Sequence, residues 1–393
     1  MTTDTGAPTA NTLHKRKIAM LVLGSIFLAI AIIWLIYWLI WGQFEVYTDD
    51  AYVNGNLVQL MSQVPGTVIQ INADDTQLVR KGQVLIRLDS ADTGIALQRA
   101  RANLAQTVRQ VRQAFAAADS AQSLVILRKA DLVKAQLDVK RRVGLVGQNA
   151  ISREEFQHYK TAAQAAKAQY DYALATYQKA HAQIANTKLY THPLVEKAKA
   201  NFRTAWLNWQ RTTILAPVTG YIAKRNVQVG QQVMLNTPLL AIVPLNQIWV
   251  DANYKESQLN DLRIGQPVEL YADAYSHVYH GKLVGLSAGT GAAFSLLPPQ
   301  NATGNWIKIV QRLPVRIGLD AKELKKYPLQ IGLSMRVTTN IHDISGHRLP
   351  QKIYNKPIYT TNIYARQLSD ANKIINKILR ANSPDLTASK QLS

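Results

Sequence analysis

Counting by sevens from Leu97 meets Leu104, Val111, Ala118, Val125, Leu132, Val139 and Val146, all apolar. Strict sevenfold register, on a stretch otherwise rich in Ala, Gln, Arg and Lys, is the seam of an α-helical coiled coil. An arm from Asp92 to Leu145 would be about 80 Å long at the α-helical rise. A return arm starts at Ser152, with Glu155 at capping-box spacing. Phe156, Ala163, Tyr170, Tyr177 and Ile184 repeat by seven along it. Pro193 interrupts the return, because proline lacks the amide donor and clashes with the preceding turn. The series resumes with Val195, Phe202 and Trp209. Both pieces are needed for the arms to match in length, so the sequence predicts a kink at Pro193. The tip is expected near Gly144-Leu145-Val146-Gly147.

The flanks give this hairpin its meaning. Before it stand Val64-Pro65-Gly66-Thr67-Val68-Ile69 and Val79-Arg80-Lys81-Gly82-Gln83-Val84-Leu85. After it stand Ala216-Pro217-Val218-Thr219-Gly220-Tyr221-Ile222 and Val227-Gln228-Val229-Gly230-Gln231-Gln232-Val233. Each copy reads as strand, Gly turn, short strand, Gly-Gln turn, strand. Two such halves make a small β-sandwich of the biotinyl/lipoyl type, with the hairpin inserted between them and clamped at its base.

Ile18 to Trp41 is 24 residues without a charge, enough to span a bilayer. His14-Lys15-Arg16-Lys17 precedes the run, which places the N-terminus in the cytoplasm. Trp34, Tyr37, Trp38 and Trp41 form an aromatic belt at the outer end. The apolar core is too long for a cleaved signal peptide, and no small-residue cleavage site follows it. Everything from Gln43 onward is then outside the inner membrane. The absence of cysteine removes disulfides, zinc-thiolate sites and cysteine nucleophiles together. The 393-residue chain carries a net charge of +20, and 92–211 holds 19 Lys and Arg against 8 Asp and Glu. Such charge solvates helix faces or steers the chain toward an acidic partner or an anionic membrane surface. No nucleic-acid motif accompanies it.

Ala51-Tyr52-Val53 reads as a strand, preceded by Asp49-Asp50 in a solvated turn. Beyond the second half-motif the sequence is β-rich. Ile248 to Tyr254, Val268 to Ala272 and Lys282 to Leu286 alternate. Trp306 to Leu319 alternates longest, with Ile307, Ile309, Leu313, Val315 and Ile317 on one face; Ser334 to Thr339 closes the set. Short strands with Gly and Pro turns suggest a small antiparallel barrel. Ala365 to Ala381 suits a last helix, packed on the barrel or part of a loose tail. Gly285-Leu286-Ser287-Ala288-Gly289 matches a nucleophile-elbow pattern but lacks the following helix that an elbow needs. His277 and His280 would lie on opposite faces of a strand, without acidic partners, which disfavours a metal site. Asn301-Ala302-Thr303 is a glycosylation sequon, relevant only in a eukaryotic secretory path. No phosphate loop or cofactor fingerprint is found, so the chain reads as a non-enzyme without cofactor or metal.

In this order of parts the chain resembles the membrane fusion proteins, or periplasmic adaptors, of Gram-negative tripartite pumps. The likeness is to the EmrA-type branch of the HlyD family. Thr48-Asp49-Asp50-Ala51-Tyr52-Val53, Phe294-Ser295-Leu296-Leu297-Pro298, Gln300-Asn301-Ala302-Thr303-Gly304-Asn305-Trp306 and Val310-Gln311-Arg312-Leu313-Pro314-Val315 carry it. The resemblance implies that the lipoyl-like domain bears no lipoate. It also implies a tip in which Arg141, Leu145 and Ser152 contact an outer-membrane channel. Each also has a plainer reading: a solvated coil position, a tip staple and an N-cap.

The expected fold is α+β, in eight segments: a cytoplasmic N-terminus (1–17), a transmembrane helix (18–41), a linker and first barrel strand (42–60), lipoyl-like half 1 (61–91), the helical hairpin (92–211), lipoyl-like half 2 (212–245), the β-barrel (246–340) and a C-terminal tail (341–393). The resemblance implies an adaptor coupling an inner-membrane major facilitator transporter to a TolC-like outer-membrane channel, for export of hydrophobic drugs or toxic compounds. Homo-oligomerisation is expected and nucleic acid is not. An adaptor for an ATP-driven protein secretion system, or an envelope tether without transport, are the alternatives. The topology makes a test: a reporter active only in the periplasm, fused after Gln43, is expected to be active, with the anchor retained in the mature chain. A mature N-terminus beyond Trp41 contradicts it.

Overall fold

The computed structural model describes residues 10–40, 42–147, 150–295, 308–351 and 353–383. The elements begin with helix α1 (Ala10–Ile40), then strands β1 (Glu45–Gly55), β2 (Val58–Met61), β3 (Gly66–Ile71), β4 (Leu78–Val79) and β5 (Val84–Leu88). Helices α2 (Ala91–Gly147), α3 (Arg153–Ala182) and α4 (Pro193–Gln210) come next. Strands β6 (Thr213–Leu215), β7 (Gly220–Arg225), β8 (Gln232–Val233), β9 (Pro238–Val243), β10 (Ile248–Lys255), β11 (Pro267–Ala272), β12 (Val278–Leu286) and β13 (Arg312–Leu319) follow. Helix α5 (Ala321–Lys326), strand β14 (Ser334–Asn340) and helix α6 (Gln367–Ala381) complete the order. The chain divides into two compact units: 1–58 with 219–223 and 241–360, and 59–218 with 224–240 and 361–393.

The first unit contains α1 and a closed antiparallel barrel in the order β1-β10-β13-β12-β11-β14. Closure leaves the barrel without an unpaired edge. Alternate residues of each strand point inward, so Val250, Ala252 and Tyr254 of β10 meet Val315 and Ile317 of β13, Leu270 of β11 and Val337 of β14 in one core. Tyr254 is fully buried, its hydroxyl 2.7 Å from the Thr339 hydroxyl, and burial pushes its pKa up to about 12. Asp49 and Asp50 are in β1, not in a turn: the β1–β14 register shifts between Thr48 and Ala51. In this bulge Asp50 accepts from Asn253 (3.1 Å) and pairs with Arg312 (3.0 Å). β13 is shorter than the alternation suggested, since it starts at Arg312 and Ile309 is exposed outside it. Trp306 and Ile307, much of the resemblance run before them, the Asn301 sequon and Trp41 fall outside the described residues. His280 does have an acidic partner: its Nδ1 is 2.8 Å from Glu323 Oε1, an exposed pair that raises the histidine pKa. His277 stacks on Tyr327 instead, with ring centroids 4.1 Å apart. After Ser287, residues 288–295 hold bends and turns, not the helix of a nucleophile elbow.

In the second unit a four-stranded sheet runs β6-β5-β3-β8. Strands of the second half-motif flank those of the first on both sides. β5 pairs with β6 (Ile86↔Ile214) and β3 pairs with β8 (Gly66↔Val233). A further four-stranded sheet has the order β2-β9-β7-β4. The repeated Gly-Gln turn has one geometry in both halves. Gly82 and Gly230 each adopt φ of +84°, a conformation open to glycine at little cost. The following glutamine bends back, and its Oε1 accepts from the N–H of Arg80 or Gln228, each at 3.0 Å. Each turn is also bonded to the other half: Gly82 N–H to Ala216 C=O and Gly230 N–H to Val68 C=O, both 2.8 Å. A third such turn closes Arg263 to Gln266 in the barrel, where Gly265 has φ +97°.

From this sheet α2 runs 57 residues, about 85 Å at the α-helical rise. The heptad series faces inward throughout: Leu104, Val111 and Ala118 are buried, and Leu97, Val125, Leu132, Val139 and Val146 half-buried. The return arm differs from the expected kink. α3 stops at Ala182, Asn186 turns with φ +60°, and α4 restarts with Pro193 in its first turn. A proline there costs no hydrogen bond, because the first amides of a helix lack partners anyway. His192 pins the break: its Nδ1 accepts from Leu194 N–H at 3.2 Å and its Nε2 donates to Gln183 C=O at 3.0 Å. The last helix packs on the hairpin base and not on the barrel. Ala371, Ile375, Ile378 and Leu379 of α6 join Leu104, Val108, Val111, Val195 and Phe202 in one core. Trp206 Nε1 donates to Gln367 C=O (3.0 Å) and Arg109 to Asn382 Oδ1 (2.8 Å), fixing its two ends.

Val111→Asp would place an unpaired charge in this core, at an expected cost of about 3–5 kcal/mol. Lys134→Ala, on the exposed face, should change stability by less than about 0.5 kcal/mol. Coincident denaturation midpoints for the two variants contradict the register.

Candidate functional site

The residues singled out by the resemblance lie at the distal end of the hairpin. α2 stays helical through Gly144 and up to Gly147, the whole stretch expected to form the tip, and α3 begins at Arg153. Gln148 and Asn149 lie outside the described residues. Good helix formers before Gly144, namely Leu137, Lys140, Arg141 and Arg142, carry the helix past this exposed glycine, whose cost is about 1 kcal/mol. Ser152 then caps α3: its Oγ accepts from Glu155 N–H at 3.0 Å. Glu154 and Glu155 occupy the first turn, where acidic side chains oppose the positive end of the helix dipole. The cap reading of Ser152 is thus met in the structure.

Three side chains set the character of the tip. Asp138 sits one turn below Arg141 and Arg142 and contacts both. Arg142 is the firmer partner, 3.1 Å from Asp138 Oδ1, with its guanidinium carbon 3.9 Å from the Tyr159 ring centroid on α3. The planar cation lies over the aromatic face and ties the two arms together. Arg141 is held loosely, 3.5 Å from the same carboxylate, with 70% of its side chain exposed. Its other contact, Nε to Leu137 C=O, is 3.4 Å. A guanidinium offers five donors, so Arg141 presents most of its fork to solvent. Leu145 is 39% exposed and Val143 57% exposed, so the tip carries apolar surface beside its arginines. Arg141 and Leu145 are one helical turn apart on α2. Ser152 is engaged with its own helix. The sequence reading missed the Arg142–Tyr159 tie; the i,i+4 spacing of Asp138 and Arg142 signals only their ion pair within α2.

The profile of a known family, the α-helical hairpin domain of EmrA, matches residues 91–212, the span of α2 through α4. The multidrug export protein EmrA of Escherichia coli (strain K12) is 47% identical over 351 residues, covering 88% of this chain and 90% of that one. The chain belongs to the EmrA family of multidrug export proteins. The fatty acid resistance protein FarA of Neisseria gonorrhoeae is 50% identical over 293 residues, 74% of each chain. A solved structure titled as the periplasmic adaptor protein EmrA covers 76% of this chain and 99% of its own, at 18% identity and a TM-score of 0.38. In this EmrA-family chain the profile-matched segment begins and ends at the paired strands β5 and β6.

The two arginines should separate by experiment. Arg142→Ala removes a half-buried cation–π and ion-pair contact between the arms, and should speed amide exchange in 138–160. Arg141→Ala should leave that exchange unchanged. Ser152→Ala should cost the tip about 1 kcal/mol through its lost cap. Equal exchange in the two arginine variants removes the tie.

Proposed function

We propose that this EmrA-family chain is a periplasmic adaptor of a tripartite efflux pump. Anchored by α1 in the inner membrane with its N-terminus inside, it links a proton-driven major facilitator transporter to a TolC-like outer-membrane channel. The exported compounds are hydrophobic drugs or toxic amphiphiles; the names of the EmrA and FarA relatives favour this class over protein secretion. A helical hairpin of about 85 Å, rooted in a split sheet, carries the reading, because its length lets one chain reach far across a compartment. No reaction is assigned to the chain.

In this reading α1 is lipid-embedded. Among the described residues its apolar side chains are largely exposed, Ile33 by 67% and Trp34 by 64%, and suit an apolar solvent. The tip docks on the channel. Arg141 supplies a bidentate fork for a carboxylate or paired carbonyls on the rim, Leu145 an apolar contact, and Ser152 a hydroxyl beside them. The mechanism is geometric: the chain holds an inner-membrane and an outer-membrane component in register, and several copies together would enclose a path.

Arg141→Asp reverses the charge of the exposed fork and should abolish drug export while leaving the melting temperature unchanged. Leu145→Ser should reduce docking by about 1.5–3 kcal/mol if the side chain is fully buried on contact. Export assays in cells, run beside thermal melting of the purified variants, check both. Full export by Arg141→Asp ends the docking assignment. Lost export with a lowered melting temperature makes Arg141 structural instead.

A further inference from the structure

The break in the return arm leaves a cavity on the hairpin. α3 ends at Ala182 and α4 begins at Pro193, so over this span α2 faces turns and one short 3-10 turn (Leu189–Thr191) and not an α-helix. The space beside that segment has a volume of about 430 Å³, within the range of sites that hold small ligands. Its apolar wall is Phe115 of α2 with Leu189 and Tyr190 of the break. Thr187 and Ser383 complete the wall, and Arg112 and Lys188, both exposed, stand at its edge. Among the described residues no carboxylate lines it. The polar groups of the wall are already bonded: Thr187 Oγ1 donates to Ile184 C=O (2.8 Å), and the Tyr190 and Ser383 hydroxyls meet at 2.7 Å. Arg112 has one long bond, 3.4 Å from Nη1 to Asn382 C=O, which leaves donors of its guanidinium to spare.

We infer that this cavity is a binding site for an amphiphilic organic anion, an alkyl carboxylate of medium chain length. The alkyl body would displace water from Phe115, Leu189 and Tyr190, and the carboxylate would stay at the mouth between Arg112 and Lys188. A neutral amphiphile would leave the two cations without a counter-charge. A cationic one would meet like charge. The internal hydrogen bonds of the wall offer a ligand little to bond inside, so selectivity comes from the mouth. The inference stands on the cavity and not on the export reading. It is tested on purified protein, where export plays no part.

The probe is a dodecanoate carrying a diazirine on its chain, photolysed with the full-length protein in lipid nanodiscs and mapped by peptide mass spectrometry. Labelling is expected on the peptides carrying 112–115 and 187–190, suppressed by excess dodecanoate but not by dodecanol. Competition by shorter chains should weaken about fourfold for each methylene removed. Arg112→Gln with Lys188→Gln should weaken binding at least about tenfold, the scale of a lost charge-assisted bond. Both side chains are exposed, so an unchanged melting temperature is expected for that pair. If it does not fold, Lys188→Gln alone is read, with a smaller loss of affinity expected. Label confined to other residues overturns the site. Equal competition by dodecanol, or full affinity in the folded glutamine variants, overturns the anion class.

Discussion

The antiparallel pairing of β5 with β6 is what the rest of the second unit depends on. β5 ends at Leu88 and β6 begins at Thr213, yet Arg87 is opposite Thr213 and Leu88 N–H bonds Thr212 C=O at 2.8 Å. The chain leaves the sheet, travels more than a hundred residues, and returns to the strand beside the one it left. Closing so long a loop costs about 4 kcal/mol of chain entropy, because the cost grows only with the logarithm of length. The two interlocked Gly-Gln turns and the flanking of β3 and β5 by strands of the other half offset it. The hairpin arms therefore start side by side at a fixed spacing, which a coiled-coil seam requires. Had the inserted segment been a floppy loop, the same sheet would close as well. The rigidity comes from the seam, and the sheet supplies its origin.

That division explains which features were readable in advance. Seam positions follow a period, and a period survives any tertiary arrangement; hence Leu104, Val111, Phe156 and Phe202 fall on the inside as counted. The duplicated Gly-Gln turn was readable because its geometry is local, a glycine of positive φ and a glutamine reaching three residues back. The barrel strands alternate, and their faces were legible except where sequence alternation outran pairing, as at Ile309. Family-level likeness then joined these parts in one order.

The misreadings share a cause. Each concerned a choice between two local outcomes that residues outside the motif decide, some close in sequence and some far. Pro193 can bend a helix or start one. Asn186 in a left-handed conformation and His192 between the two helix ends select the second. Gly144 can end a helix or be carried through it, and its neighbours carry α2 on to Gly147. Asp50 would be solvated in a turn, but Arg312 and Asn253, more than two hundred residues away, hold it in a bulged strand. The amphipathic α6 announced an apolar face without saying what covers it. The answer, Val108 and Phe202 at the hairpin base, involves no sequence proximity at all.

Burial along the seam falls from base to tip, and this gradient has a mechanical consequence. Leu104, Val108 and Val111 are sealed by α4 and α6, whereas Val125, Leu132 and Val139 face α3 alone and remain half-exposed. Apolar area removed from water per turn is smaller in the distal part, so opening free energy there is smaller too. The Asp138–Arg142–Tyr159 contact lies where the seam is weakest, and joins the arms just below the turn. A tip made only of seam would fray and hold Arg141 and Leu145 at no fixed separation from Ser152. With the arms tied there, the last turn of α2 and the first turn of α3 move as one body on a compliant stem. Such a body would keep the spacing of its own side chains while the stem below it flexes.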